Sequence, residues 1–167
     1  TDLRISAVDG TAFIDNLPYT YQSDFSAGAD GWGQFNGSGI SGNVDSIGGQ
    51  DNNLRYTVNT ASSDNHSLYK TALTVGKKYT ISFYYYIPSG QSNIDSIAIM
   101  PDRWGGVTAI LNVVDTWTLY TVTFTANHTT IMIGAADGGV RRFTDAGGDD
   151  VFYIKDITIS EITPYMD

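Results

Sequence analysis

The residues best suited to recognition chemistry lie in the short segment PDRWGG, where Arg103 precedes Trp104. Pro101 stands before the pair and two glycines follow it, so we expect a loop in which the Trp104 ring has no strand to anchor. An aromatic face stacks on the C–H face of a pyranose ring while polar side chains take the hydroxyls. The five N–H donors of Arg103 suit hydroxyls or a uronate carboxylate. The segment predicts a ligand-facing Trp104, with a loop tryptophan folded over the edge of the core as the alternative.

Two tyrosines form a second candidate group. The segment YTISFYYYI, from Tyr79 to Ile87, follows a Gly-Lys-Lys turn and is the clearest strand in the chain. Its inward-facing residues are expected to be the apolar set Ile81, Phe83, Tyr85 and Ile87. Tyr84 and Tyr86 then share the opposite face and could support ligand stacking. The open alternative is that a loop or the N-terminal segment simply covers that face.

Catalytic readings find little support in the sequence. The chain has 17 aspartates and one glutamate, Glu161, so a pair of carboxylates of the kind a glycosidase needs can always be found and carries no weight. His66 and His128 stand in Asn-His dipeptides without metal-ligand spacing. No GxSxG elbow and no phosphate-binding glycine loop is present. We therefore do not expect this chain to be an enzyme.

Charge and composition narrow the partners and the fold class. Eighteen acids against nine bases give a formal charge of -9, which disfavours nucleic acid and anionic membrane surfaces as partners. Cysteine is absent, and no apolar run is long enough to cross a membrane. Abundant Asp, Asn, Gly, Ser and Thr beside Val, Ile, Tyr and Phe indicate turns and strands rather than helices. The composition predicts one soluble all-β domain.

The strand pattern predicts an antiparallel β-sandwich or barrel. Short apolar runs recur about every ten residues without a convincing helix between them. The predicted strands are Leu54–Asn59, Tyr79–Ile87, Ser96–Met100, Val107–Val113, Thr118–Thr125, Thr130–Ala135, Val151–Ile154 and Ile157–Ile162, with a short one near Ile40–Ile47. Residues 1–19 are expected to be a hairpin (within Leu3–Ile14) or a connector, and residues 20–167 the sandwich domain.

Four segments stand in an order that resembles one family. They are DFSAGADGW (Asp24–Trp32), LTVGKKYTISFYYYI (Leu73–Ile87), DTWTLYTVTFTA (Asp115–Ala126) and DDVFYIKDITISE (Asp149–Glu161). The chain resembles the jelly-roll carbohydrate-binding modules of families four, nine and twenty-two over about residues 22–162. The resemblance implies a β-sandwich jelly roll of the galactose-binding-like type and, often, oligosaccharide binding without catalysis. It also implies that Trp32 and Trp117 anchor strands in the core.

The resemblance also implies one structural calcium ion. Carried over by position, its ligands would be Asp24, Asp51 and Asp156. This chain departs from the family pattern, because Ser26 replaces a glutamate and Lys155 replaces the first aspartate of the closing pair. Strand alternation is expected to point Lys155 away from Asp156. The alternative for each aspartate is a turn or strand-end residue that bonds to the backbone.

The function expected from these features is a non-catalytic carbohydrate-binding module that recognises a glycan, with Trp104 as lead stacking residue. Arg103, Tyr84 and Tyr86 would support it. The rival hypothesis is a structural or oligomerising domain of a surface or phage tail-fibre assembly, with the N-terminal hairpin pairing between chains. Either reading places the chain in a larger protein that is secreted, extracellular or on a virion surface.

Overall fold

The computed structural model describes residues 19–35, 37–43, 46–58, 67–92, 94–100, 109–136 and 150–162. In these ranges the chain forms eleven β-strands and no helix, and so nothing there could cross a membrane as a helix. The strands are β1 Tyr19–Ser23, β2 Gly33–Phe35, β3 Gly37–Ser41, β4 Leu54–Val58, β5 Ser67–Thr71, β6 Lys78–Tyr86, β7 Ser96–Met100, β8 Ala109–Leu111, β9 Thr118–Thr125, β10 Thr130–Ala136 and β11 Val151–Ile162. The all-β class predicted from composition is confirmed.

The strands make two antiparallel sheets. The six-stranded sheet has the order β3-β4-β11-β6-β9, and β1 pairs with β11 beyond the end of β4. The five-stranded sheet has the order β2-β5-β10-β7-β8. Except for the β3–β4 and β7–β8 pairs, neighbouring strands are not consecutive in sequence, as in a jelly-roll sandwich. The predicted antiparallel sandwich is therefore confirmed.

The core lies between the two sheets and is built by strand alternation. In β6 the inward set Ile81, Phe83 and Tyr85 is at most 2% exposed, and Ile87 beyond the strand is fully buried. This is the set that the sequence predicted. Trp32 is 5% exposed within the same core cluster, which confirms its structural role. Burial of so many large apolar side chains provides the main stabilisation of the sandwich.

The last strand differs from the prediction. The sequence predicts two strands, but β11 runs unbroken from Val151 to Ile162 with a register shift between Lys155 and Thr158. Asp156 occupies this bulge with φ at 49°, in the left-handed region. A bulge breaks the alternation of side chains. Lys155 and Asp156 therefore meet instead of pointing apart, with Nζ 3.3 Å from Oδ2.

Several short strands in the first half of the chain were also not fully predicted from the sequence. The strand expected near Ile40–Ile47 is found as β3, Gly37–Ser41, and β1, β2 and β5 were not predicted. Glycine has low strand preference, so pairing with neighbours rather than composition creates β2 and β3. The predicted hairpin in Leu3–Ile14 lies outside the described residues.

Candidate functional site

The four residues predicted to bind a ligand come from two separate parts of the chain, one of which the structure describes. Arg103 and Trp104 lie outside the described residues, in the connection between β7, which ends at Met100, and β8, which begins at Ala109. Both strands belong to the five-stranded sheet. Tyr84 and Tyr86 lie on β6 of the six-stranded sheet. The chain thus changes sheets between β6, which carries Tyr84 and Tyr86, and β7, which precedes the segment with Arg103 and Trp104.

Tyr84 faces solvent on the outer face of the six-stranded sheet, as alternation predicts. Its side chain is 36% exposed. In register it stands between Lys155 of β11 and Leu119 of β9, which is 54% exposed. Its ring is therefore accessible for stacking. The prediction for Tyr84 as a ligand contact stays a prediction.

Tyr86 is a packing residue rather than an open platform, which corrects the expectation for it. Only 9% of it is exposed, and its ring contacts Trp117 at 5.5 Å and Tyr153 at 6.3 Å between centroids. A Cβ added at Gly48 would lie 2.7 Å from Tyr86 Cε2, so the backbone near residue 48 passes directly over the ring. The alternative raised from the sequence, that a loop covers this face, applies to Tyr86.

Trp117 also differs from its expected place in the core. It is half-buried on the outer side of the six-stranded sheet, next to Tyr86. Its Nε1 donates a hydrogen bond to the carbonyl of Ile47 at 2.8 Å. Lys155 Nζ donates to Gln50 Oε1 at 3.0 Å and lies 6.0 Å from the Trp117 ring centroid. Trp117 and Lys155 thus fasten the loop over residues 46–50 to the sheet.

The five-stranded sheet carries an aromatic pair that the sequence did not reveal. Phe35 of β2 and Tyr69 of β5 lie on its outer face, with ring centroids 4.6 Å apart and planes tilted by 38°. Both are half-buried, which leaves part of each ring open. Tyr69 lies over Gly33, where an added Cβ would overlap its ring. The result is a tilted aromatic pair whose open ring parts could stack on a sugar ring.

The centre of that outer face is buried and uncharged. Met132 and Ala98 are fully buried there, and Met100 is 3% exposed. Ser67 is 1% exposed, and its Oγ has no hydrogen-bond partner in the part of the chain that the structure describes. These residues alternate with inward ones such as Leu68 and Ile133, so they face away from the core. The face is therefore apolar in its centre and aromatic at the β2–β5 side.

The acidic residues predicted to hold calcium do not form one group. Asp24, Asp30 and Asp156 line an open cavity of about 500 Å³ between the end of β1 and the bulge of β11, whereas Asp51 does not line it. Ser26 donates to Asp24 Oδ1 from both its hydroxyl and its backbone, which lowers the pKa of Asp24. Across the described ranges, no cluster of three or more acidic, His or Cys side chains could hold a metal ion.

Asp30 belongs to a different network at the seam between the sheets. The Tyr21 hydroxyl donates to Asp30 Oδ2 at 2.8 Å and accepts a bond from Trp32 Nε1 at 3.0 Å. Lys70 Nζ lies 4.1 Å from the Tyr21 ring centroid and donates to the Asp30 carbonyl at 2.6 Å. Burial and the hydrogen bond to Asp30 raise the pKa of Tyr21 to about 12. This network ties β1, β5 and the loop before β2 together.

Solved structures with the same fold include carbohydrate-binding and adhesin domains. The CBM22-1 xylan-binding domain of Paenibacillus barcinonensis Xyn10C is 15% identical, with a TM-score of 0.60 over 88% of this chain and 96% of that domain. The CBM22-1-GH10 modules of Clostridium thermocellum endo-1,4-beta-D-xylanase 10B, complexed with xylohexaose, match at 16% identity and a TM-score of 0.57. That match covers 89% of this chain and 29% of the xylanase chain.

An adhesin domain gives a match of the same quality. The K1 cleaved adhesin domain of Lys-gingipain from Porphyromonas gingivalis W83 is 13% identical, with a TM-score of 0.60 over 86% of this chain and 98% of that one. Identities this low establish a shared fold and leave the ligand open. No curated protein sequence matches the chain.

A family model provides the sequence-level assignment. The model described as Carbohydrate binding domain, CBM_4_9, matches residues 17–133, more than half of the 167-residue chain. The match includes β1 to β9 and both residues of the Phe35–Tyr69 pair. It agrees with the resemblance seen in the sequence motifs. The chain belongs to the carbohydrate-binding domain family of CBM types four and nine.

Proposed function

We propose that this chain is a non-catalytic carbohydrate-binding module that binds a polysaccharide on the outer face of its five-stranded sheet. The observation that carries the proposal is the half-open Phe35–Tyr69 pair on that face. Sugar rings stack on such surfaces through their C–H faces. Family membership supports the binding role. The xylan-binding names of two relatives make xylan the first neutral polysaccharide to test.

Trp104 and Arg103, which the sequence predicts to bind a ligand, complete the proposed site. They belong to the connection that follows Met100 on β7, the second strand from the edge of the same sheet. Trp104 would stack on a further sugar ring and Arg103 would donate to hydroxyls. Tyr84 lies on the opposite sheet and is not part of this site. The proposed binding face thus takes Phe35 and Tyr69 from the structure and Trp104 and Arg103 from the sequence.

Binding of the intact chain to soluble xylan, measured by isothermal titration calorimetry, tests the proposal. Tyr69→Ala should weaken binding about tenfold, which corresponds to about 1.4 kcal/mol. Trp104→Ala should weaken it to a similar degree. Tyr84→Ala removes an exposed tyrosine ring from the other sheet and is the control. Unchanged affinity in Tyr69→Ala, or an equal loss in Tyr84→Ala, would contradict the proposed face.

The wider setting of the chain is part of the same proposal. One relative joins a module of this fold to a GH10 module, and the match covers only 29% of that longer chain. We propose that this module likewise belongs to a secreted, multidomain protein that acts on glycans. Weak binding at a single site would then become useful through repeated contacts with a polymer. Light scattering on the chain tests the rival assembly role, for which a stable oligomer without glycan binding is the expected result.

A structural calcium ion remains a proposal with a reduced ligand set. Asp24 and Asp156 share one cavity, while Asp51 is absent from its lining. Asn53 is fully buried, and its Oδ1 has no hydrogen-bond partner among the described residues. It precedes Leu54, whose register partner is Ile154, and so lies near the bulge at Asp156. Calcium accepts amide as well as carboxylate oxygens.

Thermal melts in excess calcium and in excess chelator test the ion. Calcium that binds only the folded chain should raise the melting temperature with the logarithm of its concentration. Asp156→Asn should abolish that dependence, and Asp51→Asn should preserve it. Coincident melts with and without calcium would show that Lys155 alone offsets the charge of Asp156.

A further inference from the structure

One row of outward side chains crosses four strands of the six-stranded sheet. Ser41 of β3 is the register partner of Arg55 of β4, which is opposite Tyr153 of β11, and Tyr153 is opposite Tyr86 of β6. Residues paired across antiparallel strands place their side chains on the same face. Their neighbours along the strands, including Leu54 and Ile154, are fully buried in the core. The row Ser41–Arg55–Tyr153–Tyr86 therefore lies on the outer face.

Arg55 is the member of this row with unused hydrogen-bonding capacity. It is half-buried, yet within the described ranges it forms no hydrogen bond or ion pair. Two lysines of the described chain have acidic partners instead: Lys77 pairs with Glu161 at 3.0 Å and Lys155 with Asp156 at 3.3 Å. Its electrostatic neighbour is Tyr153, whose pKa is raised by burial and lowered by the Arg55 charge. A partly desolvated guanidinium without an acid gains more from an incoming anion than an exposed one does.

A second unused polar group stands directly beside it. The Oγ of Ser41 is buried and has no hydrogen-bond partner in the part of the chain described here. Leaving a buried hydroxyl unpaired costs stability. The hydroxyl can donate to an anion held by the guanidinium fork. Two unsatisfied groups, one cationic and one hydroxylic, thus occupy paired positions on the same face.

We infer that Arg55 and Ser41 form a subsite for the carboxylate of a uronic acid on a glycan. An arginine fork binds a carboxylate through two parallel N–H···O bonds. The open ring of Tyr84 lies two strands away and two residues along, roughly 12 Å from Arg55 by strand spacing. That separation suits a neighbouring sugar of the same chain. The inference rests on the proposed carbohydrate binding but places an acidic sugar on the opposite sheet from the neutral-glycan face.

The experiment compares two ligands that differ only at C6. Methyl glucuronide carries a carboxylate where methyl glucoside carries a hydroxymethyl group, and each is titrated into the chain by heteronuclear NMR. The unmodified chain should bind the glucuronide at least fivefold more tightly, with shifts at Arg55 and Ser41. Arg55→Gln should abolish this preference and Ser41→Ala should weaken it. Lys78→Gln removes one charge from the far end of the same face and should leave the preference unchanged.

Three results would overturn the inference. The first is equal binding of the two sugars by the unmodified chain, and the second is an equal loss of preference in Lys78→Gln and Arg55→Gln. The third is binding of acetate as tight as that of the glucuronide, which would indicate an unspecific anion site. Loss of xylan binding in Tyr69→Ala tests the site on the other sheet and is independent of these three results. The proposed function can therefore fail while the uronate subsite stands, and the reverse.

Discussion

Side chains alternate between the core and the outer face in both sheets, but the two outer faces differ in polarity and exposure. On the five-stranded sheet, Ala98 and Met132 face outward and are fully buried, and the described outward residues include no charge. On the six-stranded sheet, Tyr84 and Leu119 face outward and are open, with Lys155 beside them. Alternation decides only which side chains face away from the core. Whether that side is solvent, a covered surface or a binding face depends on what surrounds the sheet.

Hydroxyl pairs show how the six-stranded face is adapted to water. Ser82 bonds to Thr121 at 2.9 Å and Thr80 to Thr123 at 3.0 Å, each across the β6–β9 pair. Such cross-strand pairs suit an exposed sheet face. The five-stranded face has methionine, alanine and glycine at its centre instead. The proposed glycan site therefore depends on the half-open Phe35–Tyr69 pair and not on this covered centre, while the proposed anionic subsite lies on the polar face.

The largest difference in stability between the two faces is expected when a single aspartate is introduced into each. Ala98→Asp buries a charge in a region whose described outward residues include no cation, so it should lower the free energy of unfolding by about 3 kcal/mol or more. Thr121→Asp, on the exposed face of β9, should cost less than about 1 kcal/mol. Urea denaturation of both variants measures the difference. Equal costs would mean that the outer side of the five-stranded sheet is open to water.

Two glycine substitutions sharpen the comparison at the aromatic pair. Gly33→Ala places a Cβ where the Tyr69 ring lies, so the ring must move, at a cost of about 1 to 3 kcal/mol. Gly39→Ala on β3 has open space around the added Cβ and should change stability by less than about 0.5 kcal/mol. Glycan affinity should fall in the first variant alone. Retained affinity in Gly33→Ala would show that the Tyr69 orientation is not needed.

Alkaline unfolding probes the seam that joins the two faces. The pKa of Tyr21 is raised to about 12 in the fold, from 10.0. A raised pKa adds stability that is complete below the unfolded value and is lost as pH rises from about 10 to about 12. Tyr21→Phe should reduce that pH dependence by about 1 kcal/mol, after allowance for partial exposure. Denaturation curves at pH 9 and pH 11.5 measure the free energy of unfolding at each pH. An identical change between the two pH values in Tyr21→Phe and in the unmodified protein would contradict the assignment of this pH dependence to Tyr21.

The smallest effect is expected where the start of β6 meets the end of β11 in the six-stranded sheet. Lys77 and Glu161 form an ion pair at 3.0 Å, with the lysine side chain 55% exposed. Exposed pairs contribute about 0 to 1 kcal/mol and are screened by salt. Lys77→Gln should lower the free energy of unfolding by less than about 0.5 kcal/mol, and only at low salt. A larger, salt-independent loss would indicate that these strand ends depend on more than surface charge.

Much of the fold could be predicted because it depends on local pattern. The inward set of β6 followed from period-two alternation, and the burial of Trp32 was implied by the family resemblance. β7 shows the limit, since all five of its residues are buried and alternation alone predicts that half of them are exposed. The merger of two predicted strands into β11 is a second feature that alternation did not predict. A bulge at Asp156 depends on pairing with β6 and is invisible in composition.

The candidate site was harder to predict because it depends on long-range contacts. Phe35 and Tyr69 are separated by more than thirty positions, and only the β2–β5 register brings them together. Tyr84 and Tyr86 look equivalent in the sequence. They differ because the backbone near Gly48 packs on Tyr86 and the Ile47 carbonyl fixes Trp117 beside it.

The sequence by itself determined the all-β class, the principal strands and the family, since these follow from residue preferences, alternation and ordered motifs. Tertiary structure alone decided which strands share a sheet, and therefore that β6 with Tyr84 lies in one sheet while β7 and β8 lie in the other. It also decided that Arg55 and Ser41 stand unpaired side by side. The physical reason is that strand order and register are fixed by burial of the whole core, to which each segment contributes only part of the free energy.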